Sequence, residues 1–236
     1  MDDYLKPIAQ RYGSVPNELV AHFAWVDSRT HKNEGRADFS FLTPQAAVAL
    51  SDEFEEFHPL FQALPLLILD DTNTSNVHCY APSLPVPGSI VFVPHDSETR
   101  IVFPNLTAMR TAVETAIRDN QYFDEAHDDA QDIYLSEQQD DLNRSISDAY
   151  HGKHEFAPEP LILLLLGSSS LLDFRLMSDL ARDDNFYYGE KISEQITAIP
   201  SPQLMELAKI CASHPHPQVS RPGKIAVEKI IQLERC

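Results

Sequence analysis

Histidines standing near carboxylates are the residues of this chain best suited to chemistry. His95-Asp96 pairs an imidazole with a carboxylate, the combination that moves protons near neutral pH. Consecutive strand residues point to opposite faces, so adjacency alone makes no couple, and Asp96 reads as the cap of an Asp96-Ser97-Glu98-Thr99 turn. Asp70-Asp71 with His78 offers oxygen and nitrogen donors to a metal, but no third ligand follows at a fixed spacing. The run Asp124-Glu125-x-His127-Asp128-Asp129-x-x-Asp132 has the charge of a calcium loop. It lacks the central glycine and the alternating ligands of an EF-hand. His151-x-x-His154-Glu155 is not the His-Glu-x-x-His order of a zinc protease, and His214-Pro215-His216 has no cysteine or carboxylate at ligand spacing. Ser168-Ser169-Ser170 after Gly167 matches neither Gly-x-Ser-x-Gly nor a Gly-Lys-Ser/Thr loop. No catalytic residue, cofactor or metal-ligand set is assigned. The expectation is a non-enzymatic protein, and the alternative is an enzyme whose site gathers scattered residues such as Asp70, His78 and His95.

Charge narrows the function further. The 236 residues hold 36 acidic and 18 basic side chains, a net charge of −18. Such a chain is repelled by nucleic-acid phosphates and by anionic lipid, which disfavours nucleic-acid and membrane partners. Residues 119–159 carry 12 acids against 2 bases, whereas residues 160–236 carry 9 against 8. A uniform solubilising coat would not concentrate more than half of the imbalance in one stretch. The longest apolar run, residues 161–166, is far short of the roughly 20 residues that cross a bilayer. The start Met1-Asp2-Asp3-Tyr4 shows no basic or apolar leader, so a cytoplasmic address is expected. The three cysteines, Cys79, Cys211 and Cys236, are odd in number and widely spaced. Cys79 and Cys211 read as small buried residues and Cys236 as an exposed thiol.

The elements that position these residues follow from periodicity. Residues 4–24 read as two helices broken at Gly13-Ser14, the second opening near Val15-Pro16-Asn17-Glu18. Residues 39–42 suggest a short strand, and Thr43-Pro44 a helix start with Thr43 as cap and Ala47, Leu50 and Phe54 facing inward. Short apolar runs at 66–69, 77–81, 90–93 and 101–103, joined by turn residues, predict an antiparallel four-stranded meander. Residues 106–117 return to helical spacing. Helices before and after a compact antiparallel sheet make an α+β domain. Residues 119–148 are acidic, yet Leu142, Ile146, Ala149 and Tyr150 share one helical face, which predicts an exposed helix with an apolar edge. A linker at 151–160 leads to helices near 161–166, 171–181, 189–198, 202–212 and 225–233, a helical bundle. Within it Leu176-Met177-x-x-Leu180-Ala181 is loosely echoed by Leu204-Met205-x-Leu207-Ala208. The organisation expected is 1–118, an α+β domain; 119–159, an acidic helix and linker; and 160–236, helical.

One stretch carries a resemblance. Leu69-Asp70-Asp71, Val77-His78-Cys79-Tyr80, Pro87-Gly88-Ser89, Ile90-Val91-Phe92-Val93-Pro94-His95-Asp96 and Arg100-Ile101-Val102-Phe103, with Val15-Pro16-Asn17-Glu18-Leu19 upstream, resemble the SUKH superfamily, which includes the cell-wall assembly regulator domain. The likeness covers residues 1–118; a looser polar loop at 25–35 replaces the family's glycine turn. It implies a binding domain without a catalytic centre, and many members are immunity proteins that neutralise toxins by direct contact. The expected partner is a protein, of the basic type represented by toxin nucleases. The expected contact face joins an open polar surface of the sheet to the acidic helix, through Asp124, Glu125, Asp128, Asp129, Asp132, Asp140 and Asp141. A helical scaffold that dimerises through its C-terminal region is a further alternative.

Overall fold

The computed structural model describes residues 3–28, 40–70, 76–121, 127, 133–152 and 158–235. The chain has an α+β fold with a helical part, divided into two compact units, Met1–Ile133 and Tyr134–Cys236. The division falls inside the 119–159 stretch, and the helix of that stretch belongs to the second unit.

In the first unit, α1 (Lys6–Tyr12) ends where Gly13 takes the left-handed conformation, φ 78°, that closes a helix without a Cβ penalty. Three helices follow: α2 (Asn17–Ser28), α3 (Pro44–Phe57) and α4 (Pro59–Ala63). Thr43 caps α3 as its sequence predicts, its side chain accepting from the Ala46 N–H. Of the three residues expected to face inward on α3, Ala47 is buried, whereas Leu50 and Phe54 are half-buried. The expected strand at 39–42 reduces, among described residues, to one antiparallel bridge between Phe41 and Asp70.

The sheet is the expected antiparallel meander, β1 (Leu67–Ile68), β2 (Val77–Tyr80), β3 (Ile90–Val93) and β4 (Arg100–Phe103), in that spatial order. Every residue of the four strands is buried. Leu67, Leu69, Tyr80, Ile90, Phe92, Val102 and Phe103 share a core with α1, α2, α3 and α5 (Leu106–Asp119). Ile68, Cys79, Val91 and Ile101, paired across the sheet on the other face, are also wholly buried. The open polar face expected of this sheet is therefore absent. Runs such as Ile90-Val91-Phe92-Val93 do not alternate, and a strand without alternation is one covered on both sides.

Edge strand β1 is protected from outside pairing by side chains. The Ser51 hydroxyl donates to the Ala47 carbonyl of its own helix at 2.7 Å and accepts from the Ile68 N–H at 2.8 Å. The Tyr12 hydroxyl donates to the Leu66 carbonyl at 2.9 Å. Tyr12 has its pKa pushed up to about 12, chiefly by burial. On the far side of β4, the Ile133 N–H donates to the Ile101 carbonyl at 3.2 Å.

The second unit holds α6 (Gln139–Tyr150), α7 (Pro158–Gly167), α8 (Phe174–Leu180), α9 (Phe186–Ala198), α10 (Met205–Ala212) and α11 (Pro217–Leu233). Leu142, Ile146 and Ala149 form the buried edge of α6, as their spacing predicts. That helix starts only at Gln139, and Ile133 to Leu135 are not helical. Helix α7 is apolar around most of its circumference and packs between α6 and α9. Of the echoed positions, Leu176, Met177, Leu180, Ala181, Leu204, Leu207 and Ala208 are buried and Met205 is half-buried, so the repeated pattern largely marks inward faces.

Helix α11 packs on α9 and α10, and it begins eight residues before the expected 225, with Pro222 inside it. Two glycines permit that packing. A Cβ at Gly223 would lie 2.5 Å from the Ala212 nitrogen, and one at Gly189 would lie 2.9 Å from Val219 Cγ1. In an open helix, replacing glycine by alanine gains about 1 kcal/mol. Here the backbone of α10 blocks the methyl, so Gly223→Ala is expected to lose about 2 kcal/mol or more in urea unfolding.

Candidate functional site

The first unit brings together a buried cluster of titratable groups. Asp70, immediately after β1, turns its carboxylate onto β2: Oδ1 accepts from the His78 N–H at 2.7 Å and Oδ2 lies 2.8 Å from His78 Nδ1. The opposite ring nitrogen, His78 Nε2, lies 3.3 Å from His127 Nε2. Asp70, His78 and His127 are 0%, 2% and 5% exposed. Phe92 and Phe103 flank the imidazoles, with Phe92 4.8 Å from the His78 ring and 5.0 Å from that of His127.

The tautomer that fits this geometry has hydrogen on His78 Nδ1, facing the Asp70 carboxylate, and leaves His78 Nε2 to accept from His127 Nε2–H. The result is a relay, His127 to His78 to Asp70, in which a carboxylate orients an imidazole as in hydrolytic triads. The three groups are strung in a line through opposite sides of the His78 ring and do not converge on one point. Among the described residues no group of three or more His, Cys, Asp or Glu is arranged to hold a metal ion. The Asp70 carboxylate fixes β2 against β1, and His78 in turn holds His127 to the sheet.

The nearest nucleophile by sequence, Cys79, points to the other face of β2. Burial pushes its thiol pKa well up, and Asp70 raises it further, so it is held protonated. Cys79 and Cys211 are both free and buried, as expected; burial pushes Cys211 up to about 12. Cys236 lies outside the described residues.

His95 is remote from that cluster in character. Its Nδ1 meets Asp96 Oδ1 at 2.7 Å, and both side chains are exposed, at 67% and 91%. Adjacent residues thus do form a pair here, because they lie beyond the end of β3 in a bend where strand alternation no longer applies. The turn is held from the other side, by Asn76 Oδ1 accepting from the His95 N–H at 2.8 Å. His78 and Asp70 come together in the interior, whereas His95 pairs with Asp96 at the surface.

Of the seven acidic residues assigned to a contact face, Asp124, Glu125, Asp128, Asp129 and Asp132 lie outside the described residues. Asp140 and Asp141 occupy the first turn of α6, where the helix dipole favours negative charge. Asp140 is exposed, and Asp141 pairs with Arg144 Nη1 at 3.3 Å. His127, in the middle of the acidic run, is the residue of it that the sheet holds.

Two further residues matter: Glu18, read in the sequence only as part of a helix start and of the resemblance, and His22, which motif reading passed over. Glu18 Oε1 accepts from the Tyr80 hydroxyl at 2.6 Å, and a Cβ on Gly88 would lie 3.1 Å from the same oxygen. At φ 85°, Gly88 holds the left-handed turn that lets this carboxylate sit between α2 and the β2–β3 connection. His22 is wholly buried among Phe23, Trp25 and Phe41, and among the described residues neither ring nitrogen has a hydrogen-bond partner. Its position three residues after Leu19 and just before Phe23 is a core position, which is the signal that marks it.

Burial, helped by the nearby Arg110 charge, depresses the His22 pKa to about 3. The unfolded chain takes up this proton near pH 6.5, and the folded chain does so only near pH 3. Stability is therefore complete above pH 6.5 and falls as the pH drops toward 3. In His22→Leu the orphaned nitrogens are gone. Urea unfolding should show equal or greater stability at pH 7 and a shallower acid decline, the difference growing by up to about 1.4 kcal/mol per pH unit below 6.5. A parallel decline in both proteins would refute the assignment. Cys79 and Cys211 are expected to react with a thiol reagent only as fast as the chain opens; immediate modification of either in the native protein would contradict their burial. Comparison of the chain with protein-family models, with curated proteins and with solved structures finds no match in any of the three.

Proposed function

We propose that the chain is a non-enzymatic binding protein that presents a localised negative surface to a basic protein partner, in the manner of an immunity protein that blocks a toxin by contact. The concentration of 12 acids against 2 bases in residues 119–159 carries this reading. Such a field accelerates encounter with a positive partner and selects against wrong ones. The chemistry of the first unit supports the same reading. The Asp70–His78 couple joins neighbouring strands, and both groups are withdrawn from solvent. No helix among the described residues is long and apolar enough to cross a membrane.

The strands of the sheet are buried on both faces, which favours a contact face made by the acidic stretch, with Asp124, Glu125, Asp128, Asp129, Asp132, Asp140 and Asp141 as its charges. The test uses a partner isolated from the native source at low ionic strength. Replacing Asp124, Asp128, Asp129, Asp132, Asp140 and Asp141 together by asparagine should slow association at least about tenfold at low salt, with a smaller effect on dissociation. An association rate at low salt equal to that of the wild type would remove the acidic face from the binding reaction. Turnover of a substrate by the purified protein, abolished in His78→Ala, would replace this reading with the enzymatic one.

A further inference from the structure

His78 Nε2 and His127 Nε2 lie 3.3 Å apart, a separation at which one hydrogen bridges the two nitrogens. We propose that this pair is a proton-operated latch: it keeps His127 on the sheet while the two rings share at most one added proton, and it opens when both become imidazolium. The proposal does not depend on the acidic stretch binding a partner.

Counting hydrogens gives the two states. A neutral imidazole has one N–H and one lone pair, whereas an imidazolium has two N–H groups and no lone pair. With both rings neutral, His127 donates to His78. A first proton preserves the contact wherever it lands. On His78 it makes Nε2 the donor, and His127 accepts in its other tautomer; on His127 it makes the existing bond charge-assisted. A second proton sets two N–H groups against each other across 3.3 Å, with like charges and no acceptor between them.

The surroundings separate the first proton from the second. Asp70 Oδ2, 2.8 Å from His78 Nδ1, supplies one negative charge and so balances one imidazolium. Phe92 of β3 lies 4.8 Å and 5.0 Å from the two rings, and Phe103 of β4 lies 5.8 Å from His127; neither carries charge. Arg100 of β4 stands opposite Phe92, which stands opposite His78, so the cation of that row opposes a second positive charge. The Cys79 thiol, on the other face, stays protonated and adds none. With His78 and His127 only 2% and 5% exposed, solvent screens the repulsion little.

The opening is local. Asp70 accepts from the His78 N–H and faces its Nδ1, and protonation of His78 strengthens the second of these contacts. Strand β2 also stays paired with β1 and β3. His127 is therefore the partner that departs, and through it solution pH acts on the tie between the acidic run and the sheet, leaving the sheet itself paired. Histidine clusters are the usual elements through which proteins respond to mild acid.

The test is NMR of the full-length protein, with nitrogen-15 in its histidine rings, from about pH 8 to about pH 4. Ring nitrogen shifts count the protons on His78 and His127, and NOEs between the His127 and Phe92 rings report the contact. Two steps of proton uptake are expected. The NOEs should survive the first and vanish at the second, while the amide signals of β2 and β3 stay native. In His127→Gln the side-chain amide donates but takes up no proton, so its NOEs to Phe92 should persist at the pH where the wild type has lost them. Should that variant not fold, the wild-type series decides alone. NOEs that outlast double protonation would overturn the latch, as would their loss at the first proton, their absence at about pH 8, or their loss only together with the native sheet signals. A pair still holding at most one added proton at about pH 4, or parallel loss of contact in folded His127→Gln, would overturn it equally.

Discussion

Covering a four-stranded sheet on both faces constrains everything else in the first unit. Once Ile68, Cys79, Val91 and Ile101 are as deeply buried as Leu67, Tyr80, Ile90 and Phe92, each polar group among them needs an internal partner or imposes an energetic cost. Asp70 and His78 satisfy each other, Ser51 satisfies the free edge of β1, and Glu18 satisfies the Tyr80 hydroxyl. His22 marks the limit of this economy, with two ring nitrogens left unpaired between aromatic rings. Groups that look reactive in one dimension are, in three, the means by which polar atoms are hidden.

The first unit keeps its histidine–carboxylate cluster inside. The proposed recognition therefore draws on the charge concentrated in residues 119–159, which acts at long range and governs encounter.

Much of the fold was legible from local signals. Ile90-Val91-Phe92-Val93 coincides with β3, Thr43 caps α3, and the Leu106, Met109, Val113 spacing marks the buried side of α5. Other parts depend on contacts that no window of sequence contains. Helix α4, five residues between His58 and Leu64, is too short to show a period. Pro222 and Gly223 read as helix breakers, but α11 runs through them because the glycine admits the backbone of α10. The open polar face expected of the sheet is absent because strands such as Ile90-Val91-Phe92-Val93 do not alternate and are covered on both sides. In the site, the Asp70–His78 couple joins residues eight apart across a hairpin, and His127 reaches it from 49 residues away. Only the first of those distances lies within reach of sequence reading.

The central claim is that negative charge drives the encounter with a basic partner. It is tested most directly by the wild-type association rate, measured by stopped flow against the isolated partner across ionic strengths from about 0.02 to 0.3 M, as the screening length contracts. A steep fall, about tenfold or more over that range, is the result required of an electrostatically steered complex. A rate independent of salt would contradict it.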